Sequence, residues 1–101
     1  VTRVLDDAEV DERMSGAEMT GWRREGNVLR RTVEAHDFPT AIRILEKIVA
    51  ETQKLNRRPD IDVRGAVVHF TLHARDGLTD DDVELAHRIE IAAGSFVRGH
   101  A

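Results

Sequence analysis

Between Ala66 and His73 the side chains divide cleanly between two faces of an extended segment. Ala66, Val68, Phe70 and Leu72 share one face, and Val67, His69, Thr71 and His73 share the other. The first face is core; the second is more polar and suited to lining a cleft. A strand of this kind belongs to a sheet that needs a covering layer on one side only. Asp60–Arg64 precedes it across a turn near Gly65 and reads as its hairpin partner. A second hairpin is expected earlier, where Trp22–Glu25 and Val28–Val33 flank Gly26-Asn27, a dipeptide suited to positive φ.

Helices fill the intervals. Leu5–Ala17 is charged, with Leu5, Val10 and Met14 as its large apolar residues, and predicts a short amphipathic helix ending near Gly16. Asp37 is placed to cap a helix whose first turn accepts Pro39. Ala41, Leu45, Ile48, Thr52 and Leu55 then recur at helical spacing, and Pro59 ends the run by disfavouring helix at Arg58. A last helix follows Gly77. Thr79 and Asp82 have capping-box spacing, and Leu85, Ala86, Ile89, Ala93 and Phe96 form its buried stripe. The expected order is αββαββα: an α+β chain with a four-stranded antiparallel sheet and helices on one face. At 101 residues, we expect one domain over residues 1–101.

Composition narrows the function. No cysteine is present, which removes disulfides, thiolate metal sites and thiol nucleophiles, and fits a cytoplasmic setting. No apolar run reaches bilayer length and no signal-like segment opens the chain, so no membrane role is expected. Val1 in first position suggests processing or an alternative start codon. All but two of the fifteen cations are arginine, yet the net charge is −4, so the footprint of a general nucleic-acid coat is missing. His69 and His73 stand about 13 Å apart along a strand, and His36, His87 and His100 fall on different elements. Neither a metal nor a cofactor is expected.

Three segments together resemble the pterin-4a-carbinolamine dehydratase family. They are Gly21-Trp22 followed by a hairpin and Asp37-Phe38 with Ala41; Leu55-Asn56-Arg57-Arg58-Pro59-Asp60-Ile61; and Thr71-Leu72-His73 with Gly77-Leu78-Thr79, Asp82 and Leu85-Ala86. The resemblance runs from about Leu5 to Ile91 and implies the same αββαββα order. It also implies a site. The family pattern at the end of the middle helix is Glu-x-x-x-His-His-Pro, and this chain has Gln53, Arg57, Arg58 and Pro59 there. The family's third active-site histidine is kept as His73, and its later acidic residue as Asp82.

Dehydrating a 4a-hydroxytetrahydropterin takes a proton from a ring nitrogen and delivers one to the departing hydroxyl. Imidazole suits both tasks; arginine has no accepting lone pair and stays charged. Each well-placed acid/base group contributes about 10²–10⁴-fold, so losing two should cripple turnover. Two readings of Arg57-Arg58 stand side by side. As helix-end cations they complement the helix dipole; as guanidinium forks they bind a carboxylate, a phosphate or an acidic protein patch, together with Pro59. Thr79-x-x-Asp82 likewise reads as a helix cap as well as a site residue.

The functional expectation leans away from an enzyme. The first reading is a binding or assembly module with a degenerate active site; the resemblance includes Rubisco assembly factors of carboxysomes that also lack the histidines. The second is a working 4a-hydroxytetrahydrobiopterin dehydratase using His73 and Asp82, with a pterin ligand. Homo-oligomers, dimer or tetramer, are implied by the resemblance and by exposed strand edges.

Overall fold

A computed structural model describes residues 3–55 and 57–97, with side chains of the final helix described as far as Gly94. Val1, Asn56 and His100, and the side chain of Phe96, lie outside that description. The first helix, α1 (Asp7–Arg13), is shorter than the amphipathic pattern predicts. Asp6 sets its start through a reciprocal capping box, accepting from the Glu9 amide at 2.8 Å while Glu9 Oε1 accepts from the Asp6 amide at 3.1 Å. A 3₁₀ turn, Ala17–Met19, then buries Met19.

Gly26 and Gly65 both adopt φ +61°, which gives the two hairpins their turns. The first joins β1 (Trp22–Glu25) to β2 (Val28–Glu34), and the second joins β3 (Asp60–Arg64) to β4 (Val67–His73). All pairings are antiparallel and the sheet order is β1-β2-β4-β3, so β2 and β4 are central. The element order is αββαββα, as the sequence predicts. Asp37 caps α2 (Phe38–Leu55), accepting from the Thr40 amide at 2.8 Å. Hydrogen bonds from Thr40 hold the Asp37 carboxyl below its ordinary range.

The core lies between the sheet and the helices α2 and α3 (Asp80–Val97). Leu29, Val33, Val68, Phe70 and Leu72 from the sheet are buried against Ala41, Ile44, Ile48, Leu85, Ala86 and Ile89. The buried stripe of α2 differs from expectation at one step. Ile44 is fully enclosed, whereas Leu45 and Leu55 pack only at the margin. Ala66 precedes β4 and is half-buried. The covering helices stop short of β3, where Ile61 and Val63 remain exposed.

Candidate functional site

The end of α2 determines the site. Pro59 keeps Arg58 out of helical conformation, so the chain leaves α2 extended and enters β3. Successive side chains of an extended segment point opposite ways. Arg57 turns inward toward the start of α3 and is half-buried, whereas Arg58 is exposed.

At the start of α3 the side-chain cap runs one way, from Thr79 to Asp82. Asp82 Oδ2 accepts both the Thr79 amide, at 2.9 Å, and the Thr79 hydroxyl, at 3.0 Å. Arg57 reaches this pair from outside: its Nη2 donates to Thr79 Oγ1 at 3.5 Å, and its Nη1 stands 3.9 Å from Asp82 Oδ1. Asp82 is 5% exposed, so a guanidinium here meets a carboxylate largely withdrawn from water. The Thr79 oxygen accepts from Arg57 while its proton goes to Asp82, which links three side chains in one chain of hydrogen bonds.

Two open depressions meet at Arg57. One, of about 340 Å³, includes Val4, Arg57, Arg75, Asp76, Gly77 and Thr79; the other, of about 430 Å³, includes Val49, Thr52, Gln53, Arg57 and Arg58. The first is closed on one side because Gly77 takes φ +130° and lets Val4 approach; a Cβ on Gly77 would meet Val4 Cγ1 at 2.5 Å. The bridge Val4–Thr79 and the 2.7 Å bond from the Leu5 amide to the Leu78 carbonyl pin that wall. Farther back on α2, Lys54 hydrogen-bonds to Glu51 and holds its carboxyl below the ordinary range, with Arg88 adding to the effect.

His73 stands apart. It ends β4 opposite Val28, is exposed, and lines neither depression. The structure therefore brings together Arg57, Thr79 and Asp82, places Arg58 in the lining of one depression and Pro59 in neither, and leaves His73 on the helix-free face of the sheet. His69 lies on that same face and shares a 2.9 Å hydrogen bond with Thr32 through Nδ1. Arg75 is the site residue that local patterning does not single out; its one sequence signal is its position in the turn just beyond His73. Among the described residues no group of three or more His, Cys, Asp or Glu side chains is placed to hold a metal ion. No helix among them is long and apolar enough to cross a membrane. Chemically, the cluster offers guanidinium donors and one engaged carboxylate: it can bind, and Arg57 cannot accept a proton.

The chain matches the family described as Pterin 4 alpha carbinolamine dehydratase over residues 3–92. A protein of Mycobacterium tuberculosis, provisionally named pterin-4-alpha-carbinolamine dehydratase, is 35% identical over 94 residues, covering 91% of this chain and 98% of that one. Two solved structures share the fold. One is a transcriptional coactivator/pterin dehydratase from Brucella melitensis, with a TM-score of 0.82 at 23% identity, covering 91% of this chain and all of that one. The other is a pterin dehydratase-like protein identified as a RuBisCO assembly factor in the alpha-carboxysome. Its TM-score is 0.67 at 21% identity, with 76% of this chain and 94% of that one covered.

Proposed function

We propose that this chain, which belongs to the pterin 4 alpha carbinolamine dehydratase family, uses the family fold as a binding or assembly module with its dehydratase site degenerate. The observation that carries this reading is the Arg57–Asp82 approach of 3.9 Å. A group that must take or give a proton near neutral pH is replaced by a permanently charged one, and that charge is directed at the nearest buried carboxylate. His73 and Asp82 keep the positions of family site residues, but Asp82 is engaged by Thr79 and Arg57, and His73 makes no side-chain hydrogen bond or ion pair among the described residues. Arg57, Arg58 and Pro59 then serve binding. A protein with this fold that assembles RuBisCO in the alpha-carboxysome supports an assembly role and makes Rubisco the first partner to try. Exposed edges on β1 and β3 support a homo-oligomer, dimer or tetramer, working in the cytoplasm as one domain.

The second reading, a working 4a-hydroxytetrahydrobiopterin dehydratase acting on a pterin, is favoured by the retention of His73 and by the names of the relatives. Dehydration of 4a-hydroxytetrahydropterin by the purified protein, with His73→Ala as control, separates the two. We expect a rate indistinguishable from the spontaneous reaction. A rate well above it that depends on His73 overturns the non-catalytic reading.

A further inference from the structure

Among the described residues, seven arginines are taken up by carboxylates: Arg3 by Glu9, Arg13 by Asp80, Arg24 by Asp7, Arg30 by Glu25, Arg31 by Glu90, Arg64 by Asp62 and Arg88 by Glu84. Arg23, Arg43, Arg58 and Arg75 stand outside such pairs; Arg58 and Arg75 also share a neighbour. Neither makes an ion pair or side-chain hydrogen bond among the described residues, and both are exposed. They come from different elements, the neck after α2 and the turn after β4, yet they flank the same residue, because Arg57 lines the depression of each. Arg57 itself holds Thr79 and Asp82 only at 3.5 and 3.9 Å, which leaves donors of its fork available.

Three arginines lining two adjoining open depressions, in a chain of net charge −4, form a local positive site. Guanidinium forks pair with carboxylates in two-point geometry, and an anion in either depression meets Arg57 together with one of the other two. The surroundings restrict which anion fits. Asp76 stands on the rim and Asp81 follows at the start of α3, beside Asp80 paired with Arg13, so an extended polyanion such as a nucleic-acid backbone meets like charge there. A local acidic group on a neutral or mixed surface avoids that conflict.

We propose that Arg57, Arg58 and Arg75 form the contact point for an acidic segment of a protein partner, whose carboxylate seats against Arg57 between the other two. The proposal rests on the reading of the chain as a binding module and names the chemistry of what it binds. Binding is electrostatic and shallow, so it weakens steeply with added salt.

The test is a titration of the full chain with a peptide carrying one Glu-Glu pair between neutral residues, followed by backbone-amide NMR shifts, with its Gln-Gln counterpart, inorganic phosphate and oligothymidylate as parallel probes. The Glu-Glu peptide should move the amides of Arg57, Arg58, Arg75, Gly77 and Thr79 saturably, and the three other probes should not. Arg58→Gln and Arg75→Gln, both on the surface, should each weaken binding about threefold to tenfold. Equal shifts with phosphate or oligothymidylate, shifts elsewhere on the chain, or unchanged affinity in both variants overturns the proposal. Assaying pterin dehydration in the same preparations keeps the two failures apart: turnover speaks against the non-catalytic reading whatever the peptide does, and absent peptide shifts speak against this site alone.

Discussion

Arg31, on the helix-covered face of β2, donates through Nε to the carboxylate of Glu90 on α3, which is 7% exposed. This pair places a charge among Leu29, Val33 and Phe70, where an alternating strand would otherwise present apolar side chains. Its arrangement also explains Gly21, since a Cβ there would meet the Arg31 guanidinium at 2.6 Å.

Removing one partner should therefore be worse than removing both. Glu90→Ala leaves Arg31 unpaired in a partly dry site and should cost about 1–3 kcal/mol. The double change Arg31→Leu with Glu90→Leu should recover most of that loss. Denaturant midpoints of the variants against the parent chain measure both, and a double variant as weak as Glu90→Ala would contradict the account.

At the α3 cap the two charged residues should behave unequally. Asp82→Ala strips the Thr79 amide and hydroxyl of their acceptor and should destabilise by about 1–2 kcal/mol. Arg57→Ala should change stability by less than about 1 kcal/mol, because its contacts are long and Asp82 stays satisfied by Thr79. Thermal unfolding of the two variants gives the comparison.

Glycine replacements separate backbone strain from crowding. Gly26→Ala meets no neighbouring atom and should cost about 1 kcal/mol for its left-handed φ alone. Gly77→Ala adds a collision with Val4 to a φ of +130°, and should cost about 2 kcal/mol or more. Val4→Ala in the Gly77→Ala background should return only part of the loss, since the backbone angle is unaffected.

Acid should weaken the start of α1. The Arg3 side chain, and then the Asp6 amide, hydrogen-bond to Glu9 and lower its carboxyl from 4.5 to about 2. A carboxyl lowered in the folded state supports folding fully above its unfolded value. That support is lost as pH falls from 4.5 toward about 2. Carboxyl-carbon NMR of Glu9 should show titration near the lower value, and Arg3→Ala should move it upward.

Reinstating the family's imidazoles tests the cleft itself. If only proton carriers are missing, Arg57→His with Arg58→His should raise dehydration of 4a-hydroxytetrahydropterin by about 10²-fold or more over the parent chain. A stopped-flow rate equal to the spontaneous one would mean that the cleft has lost its fit for the pterin as well.

Local chemistry made much of this legible. Gly26-Asn27, the two faces of Ala66–His73, Asp37 before Phe38-Pro39 and the spacing of Thr79 and Asp82 each announce their element, because each acts within a few residues. What stayed hidden depends on partners distant in the chain. Arg31 looks like a surface residue until Glu90, 59 positions later, arrives beside it. Ile44 rather than Leu45 faces the core because the packing of α2 on α3 sets the helix rotation, which spacing alone leaves loose by a residue. Arg75 joins Arg57 only through the return of the chain after β4.

The neck that carries Arg57 and Arg58 runs directly into β3, all five of whose residues are exposed and over which no helix lies. Substitutions along this stretch therefore meet little resistance from the packed interior. A lineage can exchange one side chain for another there while the remainder of the architecture is inherited intact.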